Sequence, residues 1–330
     1  MDYEMFLEVV KEKFMDYMPQ RYQSGKLEIH AVNKVNVVWD ALRISMPDND
    51  RILPNIFVNE MYEKYKETGD LERVFRNTAA EYTNILERNM KERLELDVND
   101  MKDNVIFVLI NTEQNKELIA NVPNKPFQDL SVIFRWVISQ DAQGMASIIV
   151  TKDMMEHAGL TLESLMGHAV ENTKRICPPK IVSMQEAMME AVKDYAEPNL
   201  LDTLVETEQN PQKTMWIISN QYGVNGASAM LYEENLHKLA EKTGTDMYLL
   251  PSSIHEWIAV STDMGEPSQL AEMIMEINAG AVKLEERLSN NVYFYDKDLR
   301  CVTMATDVPD KRLDTMSPKQ QMVYDAYERR

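Results

Sequence analysis

The segment Pro251–Glu256 brings together side chains that could do nucleophilic or acid–base chemistry. It contains the hydroxyls of Ser252 and Ser253, the imidazole of His255 and the carboxylate of Glu256. Hydrolases use such groups as nucleophile, general base and orienting acid. The sequence therefore makes Ser252, Ser253, His255 and Glu256 the candidate catalytic residues.

The same segment also has a structural interpretation. On an extended strand, Ser253 and His255 point to one face and Glu256 points to the other, so a straight segment cannot align a nucleophile, a base and an orienting group. Serine is common in turns, where its hydroxyl bonds to nearby backbone amides. A strand–turn–strand junction is therefore the second interpretation.

A polar loop at Asn220–Gly226 is the candidate ligand-binding segment. Its side chains and backbone N–H groups could contact a ligand, as polar loops on a rigid sheet often do, and Asn220, Tyr222 and Asn225 are the candidate contacts. Asn-Gly is also typical of a hairpin turn, because both residue types tolerate positive φ. Binding and turn formation both remain open for this loop.

Other motifs argue against cofactors and metals. The ten glycines form neither G-x-G-x-x-G nor G-x-x-x-x-G-K-[ST], the sequences that cradle nucleotide phosphates. Cys177 and Cys301 lie far apart, and Ala259 stands where His255-Glu256 would need a second histidine to bind zinc. We therefore expect no cofactor and no metal site.

The charge balance disfavours nucleic acid and membranes as partners. The chain has 35 Lys and Arg against 54 Asp and Glu, a net charge of -19, which repels phosphate backbones and anionic lipids. It contains no apolar run of about 18 residues that could span a bilayer. Two cysteines and no apparent signal peptide predict a cytoplasmic protein.

Hydrophobic spacing predicts helices and antiparallel hairpins, so the expected fold class is α+β. The predicted helices lie at residues 2–18, 54–82 with a break at 68–70, 152–158, 161–176, 233–242 and 267–288, with a further helix inside 177–213. The predicted strands lie at 27–32, 37–42, 105–110, 130–138, 146–150, 215–219, 227–231, 247–250, 257–260, 292–295 and 301–304.

This pattern predicts two halves built from hairpins packed with helices. The N-terminal half covers 1–176, a helical linker or insertion covers 177–213, the C-terminal half covers 214–305, and the tail 306–330 contains a short helix opening at Ser317-Pro318. Trp136–Ser139 and Trp216–Ser219 are each followed by a glycine-containing turn, an apolar return strand and a helix. A duplicated unit is one hypothesis for this similarity, and the chance likeness of two amphipathic hairpins is the other.

Three groups of residues stand out together: Asn115–Pro123 with Phe127–Leu130, Leu249–Glu256, and Glu276–Asn278 with Leu288–Asp296. They resemble a family of uncharacterised bacterial proteins, a domain of unknown function found largely in anaerobic, gut-associated genomes. The resemblance runs from about residue 27 to residue 305, and Pro251–Glu256 is its most specific part. It implies bacterial origin and a cytoplasmic setting, and it carries no activity, cofactor or catalytic residue.

Because no signature of a known chemistry is present, we expect a non-catalytic binding or regulatory protein. It would recognise another protein or a small ligand in the cleft between its halves. The alternative is a hydrolase-like enzyme centred on Ser252, Ser253, His255 and Glu256, whose side chains would approach one another in a cleft together with Asn220 or Asn225. The sequence does not determine the oligomeric state.

Overall fold

The computed structural model describes residues 1–46, 54–91, 97–141, 144–192, 210–309 and 311–314. The chain forms two compact units, Met1–Leu96 and Asp97–Arg330. This division differs from the predicted boundary after residue 176. The α+β class is confirmed, because antiparallel sheets pack with helices in both units.

The first unit combines helices with a three-stranded antiparallel sheet of order β1-β2-β3. The predicted hairpin is confirmed, and Asn36 at φ 64° makes its turn. The predicted first helix is shorter than expected, since a 3-10 turn replaces its end at Phe14–Tyr17. The elements are α1 (Tyr3–Lys13), β1 (Lys26–Lys34), β2 (Val37–Ser45), β3 (Ile56–Phe57), α2 (Val58–Thr68) and α3 (Leu71–Lys91).

Local signals and an aromatic core hold this unit together. The predicted break between α2 and α3 is confirmed, because Gly69 adopts the left-handed conformation that ends α2 and Asp70 caps α3 by accepting from the Arg73 amide. The buried Tyr82 hydroxyl accepts from the Ile44 amide and donates to the Pro54 carbonyl. Tyr82 therefore fixes helix α3 to strand β2.

The described residues of the second unit form two antiparallel sheets. Its first sheet comprises β4 (Val105–Asn111), β5 (Asn124–Phe127), β6 (Leu130–Asp141) and β7 (Gly144–Ile149), with β6 pairing all three others. Its second sheet has the order β13-β12-β10-β11-β9-β8. These strands are β8 (Pro179–Ser183), β9 (Trp216–Asn220), β10 (Met247–Ser253), β11 (Glu256–Ser261), β12 (Tyr293–Asp296) and β13 (Cys301–Met304).

Helices cover the sheets of the second unit. Every residue of β4 is buried, and Thr173 on the helix Leu162–Ile176 accepts a hydrogen bond from the Phe107 amide within it. The predicted helix to residue 288 ends at Gly280, and a 3-10 turn follows at Leu284–Glu286. The helices are α4 (Met101–Asn104), α5 (Lys116–Asn121), α6 (Lys152–His157), α7 (Leu162–Ile176), α8 (Met184–Val192), α9 (Glu233–Thr243) and α10 (Pro267–Gly280).

The predicted linker at 177–213 contributes directly to the second sheet. Strand β8 pairs with β9 along its whole length, from Pro179–Asn220 to Ser183–Trp216. Ser183 then caps α8 together with Glu186, each accepting a hydrogen bond from the other's backbone amide. Strand β8 is therefore bonded into the same sheet, and lies in the same compact unit, as β9.

The predicted return strand at 227–231 is wrong. The structure forms a 3-10 helix there, Gly226–Leu231. Strand β9 already pairs with β11 on one side and β8 on the other, so neither edge is left for a return strand. The unit after Trp136 is a true hairpin, β6–β7, whereas the unit after Trp216 is not, and the duplication hypothesis loses its support here. The predicted helix at Ser317-Pro318 lies outside the described residues.

Candidate functional site

The two candidate segments meet at one end of the second sheet. Strand β9 pairs with β11, which places the loop after β9 beside the turn between β10 and β11. The Ser219 hydroxyl donates to the His255 carbonyl at 2.8 Å, and the Ala227 amide donates to the Ile254 carbonyl at 3.2 Å. The sheet therefore unites segments about thirty residues apart in sequence.

Gly226 allows this close approach. A Cβ at this position would lie 2.5 Å from the His255 carbonyl oxygen and 2.7 Å from the Asn220 nitrogen. Both are backbone atoms that cannot move aside without shifting the sheet. The glycine of the predicted Asn-Gly turn is thus required by packing between the two segments.

The His255 imidazole supports the loop. Its Nδ1 accepts from the Asn225 backbone amide at 3.1 Å, and Asn225 adopts a left-handed conformation with φ 52°. When Nδ1 accepts, the proton of the neutral ring is on Nε2. Nε2 lies 3.8 Å from a carboxylate oxygen of Glu286. The nitrogen that could act as a base therefore bonds to a backbone amide.

The serine hydroxyls also bond within the hairpin. Ser253 Oγ accepts from the His255 amide at 3.0 Å, and Ser252 Oγ donates to Glu256 at 3.4 Å. Across the described ranges, neither serine hydroxyl makes a hydrogen bond to the His255 ring. The structure thus brings the four candidate catalytic residues together without linking either serine hydroxyl to the His255 imidazole.

The loop after β9 is closed by its own first residue. Asn220 Nδ2 donates to the Val224 carbonyl at 2.8 Å, and its Oδ1 accepts from the Tyr222 amide at 2.9 Å. Tyr222 and Val224 stand out at the tip, with 53% and 46% of their surface exposed. Of the three predicted ligand contacts, Asn220 and Asn225 shape the loop, and Tyr222 presents a side chain to solvent.

Sequence reasoning missed the third segment of this site. The Glu286 carbonyl accepts from the Ile254 amide at 2.7 Å, which fixes the 3-10 turn Leu284–Glu286 against the hairpin. We expected this turn to be helical. The signal was Gly280, because glycine commonly ends helices.

One comparison with known proteins gives a match. A family model described as a family of unknown function, DUF5688, matches residues 3–297. The chain belongs to DUF5688. No curated protein and no solved structure matches it. The predicted membership in a domain-of-unknown-function family is therefore confirmed, and this membership assigns no activity.

A second polar cluster in this DUF5688 chain joins the segments Phe127–Leu130 and Leu288–Asp296. Asp129, in the tight turn between β5 and β6, accepts from Ser289 Oγ at 2.7 Å, from Asn291 Nδ2 at 3.1 Å and from the Tyr293 hydroxyl. The preceding residue, Gln128, has φ 55°, a strained value for a residue with a side chain. We call these four residues, Asp129, Ser289, Asn291 and Tyr293, the Asp129 lock.

The Asp129 lock fastens the two sheets of the second unit together. Ser289, Asn291 and Tyr293 are all almost completely buried. Burial and the neighbouring Asp129 carboxylate raise the pKa of the Tyr293 phenol well above its usual range. The phenol therefore stays protonated and donates to Asp129.

Among the described residues of this DUF5688 chain, no three His, Cys, Asp or Glu side chains are grouped so that they could hold a metal ion. Nor does any helix there have the length and apolar character needed to cross a bilayer.

Proposed function

We propose that this protein is a non-catalytic binding protein that recognises a protein partner through the loop Gln221–Asn225. One observation carries the proposal: two large apolar side chains, Tyr222 and Val224, are exposed on a loop whose backbone is held by its neighbours. Tyrosine is enriched among the residues that dominate binding energy at interfaces. A fixed loop loses little conformational freedom on binding, which favours affinity.

The hydrogen bonds beneath the loop support this role. The Asn220 side chain closes the loop by donating to the Val224 carbonyl, and the His255 ring accepts from the Asn225 amide at the end of the loop. Gly226 allows the β10–β11 hairpin to pack closely against the loop. Polar groups that could have served catalysis thus hold a contact surface in place. A small ligand in place of a protein would need a pocket beside the loop, and the exposed Tyr222 and Val224 favour a flat macromolecular partner.

Site-specific crosslinking tests the proposal. The full chain carrying p-benzoylphenylalanine at position 222 is irradiated in lysate of its native host, beside a matched chain carrying it at Leu299, which is 75% exposed. We expect a protein crosslinked from position 222 and absent from position 299. The same adducts from both positions, or none from 222, would contradict a partner at this loop.

Binding by purified components completes that test. The crosslinked protein is produced recombinantly, and its Kd is measured with wild type, Tyr222→Ala and Leu299→Ala. Loss of a central interface tyrosine costs about 2 kcal/mol or more, so Tyr222→Ala should weaken binding by at least about tenfold. Leu299→Ala should bind like wild type.

The hydrolase alternative makes a different prediction. It requires a serine activated by the His255 imidazole, whereas the Ser253 hydroxyl accepts a backbone hydrogen bond and the Ser252 hydroxyl lies 3.4 Å from Glu256. A fluorophosphonate probe, which labels activated serines, should therefore fail to label the folded wild-type protein. Stoichiometric labelling that Ser253→Ala or Ser252→Ala abolishes would establish the enzyme instead.

We also propose a cytoplasmic setting. Cys177 is buried and Cys301 is exposed, and both are free thiols. An exposed free thiol suits a reducing compartment. Fractionation of host cells, followed by immunoblotting, tests this assignment.

A further inference from the structure

Arg135 is a positively charged side chain in the middle of a largely apolar sheet. It lies on β6, and its direct cross-strand neighbours are Ile106 on β4 and Ile149 on β7. Directly paired residues share one face of an antiparallel sheet, so the arginine lies between two isoleucines. Ile106 is 2% exposed, whereas Ile149 and Arg135 are half-buried. Arg135 therefore lies at the margin of the buried part of this face.

Ser147 fixes one edge of the guanidinium. Arg135 Nε donates to Ser147 Oγ at 2.9 Å, and Nη2 donates to the Ser147 carbonyl at 3.1 Å. A break in the β6–β7 register between Val137 and Ser139 lies next to Ser147 in the ladder. Such irregularities commonly redirect side chains in a sheet. Ser147 thus orients the planar group from its Nε side.

The opposite edge of the guanidinium has no partner among the described residues. Nη1 and the second N–H of Nη2 make no hydrogen bond there, and no carboxylate lies within ion-pair distance. By contrast, carboxylates pair with Arg21, Arg43, Arg76, Arg300 and Arg312. Burial alone lowers the pKa of Arg135, which reflects a charge removed from water without compensation.

We propose that Arg135 binds the carboxylate of a small ligand that carries an apolar tail. The free Nη1–Nη2 edge presents two parallel N–H groups, the arrangement that matches the two oxygens of a carboxylate. One unpaired positive charge matches one negative charge. The half-buried Ile149 provides apolar surface for the tail. This site is independent of the loop Gln221–Asn225.

Sodium hexanoate is the probe for the full-length protein. The Nε–Hε resonance of Arg135, assigned by its loss in Arg135→Lys, is followed by NMR during titration at constant ionic strength. We expect the resonance to shift saturably with hexanoate. It should not shift with hexan-1-ol, which has the same tail without the carboxylate. Inorganic phosphate should bind at least about tenfold more weakly than hexanoate. An unmoved resonance, an equal response to hexanol, or tighter binding of phosphate would overturn the proposal.

Variants separate a binding arginine from a structural one. Arg135→Lys keeps the charge but loses the two parallel N–H groups of the guanidinium, and it should weaken hexanoate binding by about tenfold. Ser147→Ala removes the hydroxyl that positions the guanidinium and should also weaken binding. Titration calorimetry measures both effects. Without ligand, Arg135→Met should melt at the wild-type temperature or above it, because it removes an uncompensated buried charge.

The matched control is Arg300→Met, which breaks the ion pair with Glu233 in the same unit and should melt lower than wild type. If Arg135→Met lowers the melting temperature as much as Arg300→Met does, Arg135 is structural and the proposal fails. Retained hexanoate binding by Arg135→Met would also overturn it.

Discussion

The two polar clusters of the second unit use similar side chains for different purposes. Around His255, serine, asparagine and imidazole groups bond mostly to backbone atoms of exposed turns. In the Asp129 lock, serine, asparagine and tyrosine groups bond to one carboxylate between two sheets. The first cluster sets the shape of a surface loop, and the second joins layers of the core.

This difference shows that similar residue types can serve different structural purposes. The Pro251–Glu256 segment has the composition of a catalytic site, yet its polar atoms support turns. The lock residues form no catalytic motif in the sequence, yet Ser289, Asn291 and Tyr293 are almost completely buried. Burial multiplies the energetic effect of a hydrogen bond that is broken, so the two clusters should respond very differently to mutation.

Asp129→Ala should have the largest effect. It leaves the buried donors of Ser289, Asn291 and Tyr293 without their acceptor, and each buried unsatisfied group costs roughly 1–3 kcal/mol. We expect a loss of about 3 kcal/mol or more in the free energy of unfolding, measured by urea denaturation. Asp298→Ala, at an exposed turn, should change it by less than about 0.5 kcal/mol. Similar losses from both variants would mean that the lock is not structural.

Gly226→Ala should be next in size. The added methyl meets the backbone of His255 and Asn220, and overpacking of this kind costs about 1–3 kcal/mol. Gly167→Ala is the matched control, because its methyl meets nothing and alanine favours the helix by about 0.5–1 kcal/mol. Thermal unfolding of both should give shifts of opposite sign. Equal shifts would show that the two segments can separate at little cost.

Tyr293→Phe should change the pH dependence of the free energy of unfolding, which tests the Asp129 lock. Burial and Asp129 raise the folded-state pKa of this phenol. Its contribution to the free energy of unfolding is therefore intact below about pH 10, the pKa of tyrosine in the unfolded chain, and is lost as the pH rises further. Wild-type stability should therefore fall more steeply than that of Tyr293→Phe, by up to about 1.4 kcal/mol per pH unit. Urea denaturation between about pH 9 and pH 11 measures both slopes, and parallel curves would contradict the assignment.

Local sequence signals predicted most elements of the fold. The hairpin β1–β2 alternates apolar and polar residues around a turn that needs Asn36, and the break at Gly69 and Asp70 is marked by residues with known turn and cap preferences. The prediction of a strand at residues 227–231 was wrong because a short apolar run is compatible with several kinds of secondary structure. Its conformation depends on β8 and β11 occupying both edges of β9, which no local pattern encodes.

The candidate site was predictable only in its parts. Each segment was visible in the sequence, but the bond between Asn225 and His255 depends on the pairing of β9 with β11. The Asp129 lock joins residues at least 160 positions apart, and no local pattern in the sequence predicts their contact. Contacts over such distances follow from topology, and a single sequence does not specify which strands become neighbours.

Variants of His255 should have the smallest effect on stability. They should also show that the cluster around His255 acts locally, on the loop. His255→Ala removes one acceptor at a surface turn, a loss of about 1 kcal/mol, which corresponds to roughly fivefold faster amide exchange at Asn225. Asparagine places its Oδ1 near the position of Nδ1, so His255→Asn should keep exchange close to the wild-type rate. Hydrogen exchange by NMR measures both.

The same pair of variants discriminates a loop support from a catalytic base. A base would be lost in both variants, whereas a loop support survives in His255→Asn. We therefore expect partner binding through Tyr222 to weaken in His255→Ala and to remain in His255→Asn, because the asparagine still holds the loop in its binding conformation. Equal loss in both variants would mean that the imidazole itself, and not the backbone it holds, makes the contact that matters.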